Sequence, residues 1–343
     1  MRAVAVGISG GVDSAVCAHL LREQGYSVHA VSLLMHGADC ASARAVADAM
    51  GIPFSAYDVR AEFAESVITD FKDEYVSGRT PNPCVMCNRT VKFPSLIRFA
   101  DEHGIPFAAT GHYARVKKIG SRYTVARAAD SAKDQTYMLW ALPQQILSRL
   151  ILPLGSFTKA EIREIAAEAN LPCAHSKESQ DICFVPDGDY AAFLEKEGVP
   201  LPDGTFADLT GEILGTAKNQ ACYTIGQRRG LGLSVGHHMY VTARDAKENR
   251  VIVAPASPSA KTVFADRLNF LAAAPADLEK ETRLCAKIRY TRQTYPCIAA
   301  VDGDCLTVRF DDPLRAPAAG QSVVLYDGED VVLGGIVTDW KGD

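Results

Sequence analysis

The 343-residue sequence contains no apolar run approaching the roughly 18 residues of a membrane span. Its opening, MRAVAVGISGG, lacks the apolar core and small-residue cleavage site of an export signal. Internal repeats and low-complexity tracts are also missing, which leaves no case for a repeat array or a disordered linker protein. There is no basic surplus: 36 Lys and Arg stand against 41 Asp and Glu, for a net charge of −5. That disfavours a general nucleic-acid coat, whose affinity rests on many phosphate contacts, and still allows a locally basic face. Neither G-x-x-x-x-G-K-[ST] nor G-x-G-x-x-G occurs, so the P-loop lysine and the dinucleotide fingerprint are excluded. The expectation is a cytoplasmic globular protein, 48% hydrophobic, of two or three domains and without a membrane partner.

Periodicity divides the chain. Through residue 200, apolar strands alternate with amphipathic helices, predicting a parallel α/β sheet covered on both faces. Strands are expected at 2–8, 26–34, 53–59 and 106–111, with helices at 12–24, 40–50, 61–76 and 94–103 between them. A hairpin is expected at 113–127, then helices at 135–149, 158–169 and 189–197. Residues 201–261 read as a small β-rich central domain, and 262–343 as a small antiparallel barrel or sandwich.

The stretch GISGGVDS (7–14) leaves the first strand and opens the first helix. Its glycines let backbone N–H groups converge on an anion, Ser9 and Ser14 add hydroxyls, and Asp13 can hold Mg²⁺ beside a phosphate. A plain strand–helix turn is the bland alternative. Of the ten cysteines, Cys17, Cys285, Cys297 and Cys305 are expected to be small buried hydrophobes. Cys84 and Cys87 in PNPCVMCNR, and Cys183 in SQDICF, have polar neighbours and need another explanation.

SGGVDS resembles the pyrophosphate (PP) loop of ATP pyrophosphatases, enzymes that adenylate a carbonyl oxygen. GRTPNPCVMCNRTVKF (78–93), ATGHYAR (109–115), KDQTYMLW (133–140), PLGSFTKAEIREIA (153–166), YTIGQRRGLG (223–232) and KIRY (287–290) narrow the resemblance to the tRNA-specific 2-thiouridylases. The resemblance implies a Rossmann-like PP-loop domain, a small central domain and a C-terminal β-barrel. It implies ATP as cofactor, bound by Gly7, Ile8, Ser9, Gly10, Gly11, Val12, Asp13 and Ser14 with Leu33 and Gly111. Cys183 would carry a persulfide received from a sulfur-donor protein, a cysteine desulfurase or a persulfide relay protein, and Cys87 would form a disulfide with it on delivery. Asn82, Pro83 and Cys84 would face the target base, and His112, Lys133, Asp134, Gln135, Arg289, Tyr290 and Gln321 would contact tRNA. The protein is expected to act as a monomer.

Two departures from the pattern stand out. Position 84 is usually Asp in that family and is Cys here, and the segment MHGADCASARAV is shorter than is common. A second reading therefore stays open: Cys84, Cys87 and Cys183 as ligands of a [4Fe-4S] cluster in an iron–sulfur-dependent tRNA thiolase, with a Cys₃ zinc site as its bland version. A third is a non-catalytic tRNA- or nucleotide-binding redox sensor.

Overall fold

The computed structural model describes residues 2–37, 39–174, 176, 182–185 and 188–342. Strand β1 (Ala3–Gly7) feeds helix α1 (Val12–Glu23), and β2 (Ser27–Leu34), α2 (Ala41–Met50) and β3 (Phe54–Asp58) follow. After a helical excursion come β4 (Phe107–Thr110), the hairpin β5 (Arg115–Ile119) and β6 (Arg122–Ala126), and the short β7 (Leu150–Ile151). Five of these strands form a parallel sheet in the order β3-β2-β1-β4-β7. Val4, Ala5 and Val6 of the central strand are fully buried, as expected for a parallel strand covered on both faces. The order reverses direction between β1 and β4, so a crevice opens beyond their C-terminal ends, where open α/β sheets bind ligands.

The excursion between β3 and β4 departs from the expected pair of helices. One run comprises Arg60–Phe63, a π turn over Ala64–Ile68 and Thr69–Val76; the other comprises Pro83–Cys87, a π turn over Asn88–Lys92 and Phe93–Glu102. Hydroxyls bond back to carbonyls around both turns, Ser66 to Glu62 (2.6 Å) and Thr90 to Met86 (2.9 Å). The helix expected at 135–149 is split into Thr136–Leu139 and Gln144–Leu147. Pro143 lacks the N–H that would continue the first piece and biases Leu142 away from the helical region.

The central domain is a four-stranded sheet of β8 (Gly204–Ala207), β9 (Ile213–Ala217), β10 (Tyr240–Asp245) and β11 (Arg250–Ala254). Strands β12 (Ser259–Phe270), β13 (Thr282–Lys287), β14 (Tyr295–Asp302), β15 (Cys305–Arg315), β16 (Ser322–Asp327) and β17 (Asp330–Lys341) follow. They pair in the order β12-β15-β14-β13-β16-β17, and β12 and β17 close the ring, so the C-terminal unit is a six-stranded antiparallel barrel. The β5–β6 hairpin extends this sheet through Ala126 opposite Asp330. An apolar core joins the first domain to the barrel, with Trp140 and Tyr137 packed among Val324, Tyr326 and Val331. The bland expectation holds for Cys17 and Cys297, which are buried; Cys305 is exposed, because it starts β15 just past the Gly303 turn.

Candidate active site

The anion loop sits at the switch point. Gly10 has φ +83°, and a Cβ there would lie 2.5 Å from the Ser42 Cβ, so the turn can be made by glycine alone. Ser14 donates to the Gly11 carbonyl (3.0 Å) and accepts from the Ser9 N–H (3.2 Å), which holds both serine side chains at the mouth of α1. Gly7, Ile8, Gly11 and Val12 complete the loop, and Ile8 anchors it by donating to the Val31 carbonyl at 2.9 Å. Gly111 follows β4 and packs against the start of α1: a Cβ there would lie 2.7 Å from the Asp13 carbonyl carbon. Leu33 is half-buried and packs against the apolar layers on the β2 side. Open glycine backbone and two hydroxyls at the N-terminus of a twelve-residue helix fit a phosphate group.

Asp13 does not stand free. Tyr113 donates its hydroxyl to Asp13 Oδ1 at 2.7 Å, and Lys159 places its ammonium 2.6 Å from the same oxygen. Sequence reading did not single out Lys159, although the signal was there. Thr158 and Glu161 form a capping box that starts a helix at Lys159, and a cation at a helix N-terminus is electrostatically disfavoured. Its position there follows from its partner across the crevice.

The cysteines meet around Lys92. Asn82 caps the Pro83–Cys87 helix by accepting from Val85 N–H (3.4 Å), Pro83 is buried in its first turn, and Cys84 is exposed. Cys87 is buried, its Sγ 3.9 Å from Met35 Sδ. Phe184, next to exposed Cys183, packs edge-on to Phe63 and Phe71, in the same apolar cluster as Cys87. This shared core carries the two distant loops to one place. Burial pushes the Cys87 thiol up to about 11; the Lys92 ammonium opposes the rise, and Cys183 and Cys84 add to it. Partial desolvation also raises Cys84 and Cys183, although both residues reach the surface, and Lys92 again acts against it. Arg89, two residues past Cys87, lines a small cavity of about 40 Å³ together with Asp70, Glu74 and Arg267. No three His, Cys, Asp or Glu side chains among the described residues converge to hold a metal ion. Ser179, Gln180 and Asp181 of the SQDICF motif lie outside the described residues.

The remaining candidates divide into two groups. His112 bonds through Nδ1 to Thr110 Oγ1 at 2.7 Å, and desolvation, with Lys92 nearby, pushes it down to about 3, so it is neutral at physiological pH. Tyr290 is exposed on the barrel, close enough to Cys84 and Asp134 that their charges add to the desolvation raising its hydroxyl. Lys133 is half-buried, and Gln135 accepts from the Tyr113 N–H (2.9 Å), tying the segment after Gly111 in place. Others are spent internally. Asp134, expected to contact tRNA, is buried and accepts from Lys287 Nζ at 2.8 Å and from Thr136 Oγ1 at 2.9 Å. Arg289 donates to the carbonyls of Arg315 (2.8 Å) and Ala316 (3.2 Å), and Gln321 donates to those of Thr80 (3.0 Å) and Pro81 (3.1 Å).

A phosphate-cradling loop at the switch point of a parallel sheet, with grouped thiols beside it, marks the class as a HUP-type nucleotide-binding enzyme. Comparison agrees: residues 2–187 match the family described as tRNA methyl transferase HUP domain, 191–255 its PRC-barrel domain, and 260–337 an aminomethyltransferase β-barrel domain. Proteins named tRNA-specific 2-thiouridylase MnmA align over nearly the whole chain. The one from Caldicellulosiruptor saccharolyticus is 41% identical over 97% of this chain and 98% of its own. That from Carboxydothermus hydrogenoformans is 42% identical over 97% of both, and that from Clostridium acetobutylicum 39% identical over 97% and 99%. The chain belongs to the family of tRNA-specific 2-thiouridylases.

Proposed function

We propose that this chain is an ATP-dependent tRNA 2-thiouridylase that works through a cysteine persulfide. The observation that carries the reading is the approach of Cys87 and Cys183: Ile182 and Phe184, which flank Cys183, pack in the apolar cluster of Cys87, and Lys92 acts on both thiols. The uracil O2 of the wobble uridine attacks the α-phosphorus of ATP, and pyrophosphate leaves. The outer sulfur of a Cys183 persulfide then attacks C2 and displaces AMP. Cys87 attacks the Cys183 sulfur, the S–S bond to the nucleoside breaks, and 2-thiouridine departs. The transferred sulfur is reduced as the two cysteines are oxidised to a disulfide, which a thiol reductant reopens. A sulfur-donor protein, a desulfurase or a persulfide relay, supplies the sulfur.

In this reading Ser9, Ser14 and the loop N–H groups orient the triphosphate, and Mg²⁺ would be held by Asp13, where Lys159 now balances the carboxylate. The chain acts as a cytoplasmic monomer. Tyr290, exposed beside Cys84, offers an aromatic face for a base. The persulfide route is favoured over a [4Fe-4S] cluster because no three His, Cys, Asp or Glu side chains among the described residues converge to hold a metal ion.

The test combines tRNA-dependent pyrophosphate release with nucleoside mass spectrometry on persulfide-loaded enzyme. Wild type forms 2-thiouridine only with ATP; Cys87→Ser and Cys183→Ser release pyrophosphate without thiolating. Stoichiometric iron after anaerobic purification, with loss of activity in Cys84→Ser, would sink the persulfide route. Pyrophosphate release indifferent to tRNA would sink the enzyme reading.

A further inference from the structure

The strap of residues 77–82 links the helix ending at Val76 to the helix that carries Cys84 and Cys87. Its central residue, Thr80, makes its hydrogen bonds, among the described residues, to the other two domains. Its N–H donates to the Ala319 carbonyl of the barrel (2.8 Å), and its carbonyl accepts from Gln321 Nε2 of the barrel (3.0 Å). Its hydroxyl accepts from Arg244 of the central domain (2.8 Å). Asn82, the cap of the cysteine helix, lies two residues on.

The partners are built for this contact. Arg244 also donates to the Tyr223 carbonyl at 2.9 Å, and its Nε is buried without a partner among the described residues. Desolvation pushes its guanidinium down to about 10, so the protein keeps a costly buried cation whose other side-chain partner is Thr80. Gly320 has φ +90°, and a Cβ there would lie 2.8 Å from the Thr80 carbonyl oxygen, so barrel backbone reaches the strap by close approach. Within its own domain the strap is tied at its two ends, Ser77, Gly78 and Arg79 to the helix before it and Asn82 to the helix after it, whereas at Thr80 both other domains grip it.

We propose that Thr80, held by Arg244 and the barrel, is a positioning residue that sets where the Cys84–Cys87 helix stands relative to Cys183. It acts through placement and touches neither nucleotide nor base. This rests on the persulfide reading above, because alignment of two sulfurs is the step that misplacement hurts most: an error of about 1 Å can cost around a hundredfold. ATP binding, at the loop after β1, does not depend on the strap, which contributes no residue to that loop.

The experiment compares Thr80→Val, Thr80→Ser and wild type in three assays: single-turnover sulfur transfer from persulfide-loaded enzyme, tRNA-dependent pyrophosphate release, and formation of the Cys87–Cys183 disulfide in oxidised glutathione. Thr80→Val is expected to slow sulfur transfer and disulfide formation by at least about tenfold. The KM for ATP in pyrophosphate release and the tRNA affinity should stay within about twofold, and Thr80→Ser should restore both slow steps. If Thr80→Val does not fold, Arg244→Lys, which keeps the charge and shortens the reach, is read the same way. Unchanged transfer, an equal fall in all activities, or no rescue by Ser overturns the proposal. Disulfide formation needs no tRNA, so a wild type that makes no 2-thiouridine would defeat the persulfide reading while the positioning role is still measured.

Discussion

Lys287 of the barrel buries its ammonium 2.8 Å from the Asp134 carboxylate of the first domain, with both side chains nearly inaccessible. Thr136 Oγ1 bonds to both Asp134 oxygens at 2.9 Å, and the Tyr326 ring lies 5.4 Å from the ammonium. A buried pair so fully bonded locks two domains in one relative position, and removing one partner strands a charge. Lys287→Met is therefore expected to lower unfolding stability by about 3–5 kcal/mol, with Asp134→Leu added to it recovering most of the loss. Urea unfolding of the single and double variants measures this. A stable Lys287→Met protein that merely binds tRNA more weakly would return Asp134 and Lys287 to the RNA face.

Lys159 and Asp13 make the second pair, at 2.6 Å beside the anion loop. Without the ammonium, the Asp13 carboxylate repels a triphosphate approaching Ser9 and Ser14. Lys159→Met is expected to raise the KM for ATP by about tenfold or more, with tRNA affinity unchanged. Lys159→Arg should restore part of it. Steady-state pyrophosphate release over a range of ATP concentrations decides, and an unaltered KM would leave Lys159 a structural residue.

Lys92 is the cation shared by the three thiols. Replacing it with Gln removes the field that holds their values down, so each rises further and the thiolate fraction at pH 8 falls. Alkylation of exposed Cys84 and Cys183 in Lys92→Gln should run roughly threefold slower at pH 8 and reach its midpoint at higher pH. Mass spectrometry of iodoacetamide-treated protein across pH reads both. Equal rates would place the thiols outside the reach of Lys92.

Asp70 lies beside buried Glu74, and desolvation together with that carboxylate raises it from 3.8 to about 6, while Arg267 and Arg79 oppose the rise. Between those values the folded protein holds a proton that the unfolded chain releases. The stability this contributes is full below pH 3.8 and is lost as pH rises through 6. Asp70→Asn should thus melt higher than wild type at pH 8, with the gap closing toward pH 4. Melting curves at several pH values test this; a difference independent of pH would contradict it.

Local patterns carried much of the architecture. The alternation of apolar strands and helices up to β4, the Gly51 cap with φ 62°, and the short turn-bounded strands after residue 260 are properties of neighbouring residues, and periodicity reads them directly. The anion loop was legible for the same reason: glycines, hydroxyls and a carboxylate occupy one turn. The polar neighbours of Cys84, Cys87 and Cys183 also set these three apart from the other cysteines.

Only the tertiary structure decided which polar side chains face a ligand and which are consumed inside. Asp134 and Gln321 are polar residues in motifs, and sequence alone cannot distinguish a carboxylate waiting for RNA from one paired with a lysine 153 positions away. The same holds for Lys159, whose partner Asp13 is 146 positions distant, and for Thr80, whose hydroxyl is claimed from 164 positions away. Burial and pairing over such separations arise when domains pack, and no local pattern encodes them. The meeting of Cys87 with Cys183 belongs here too, since the Phe63–Phe71–Phe184 cluster that unites them forms only once the chain has folded back on itself.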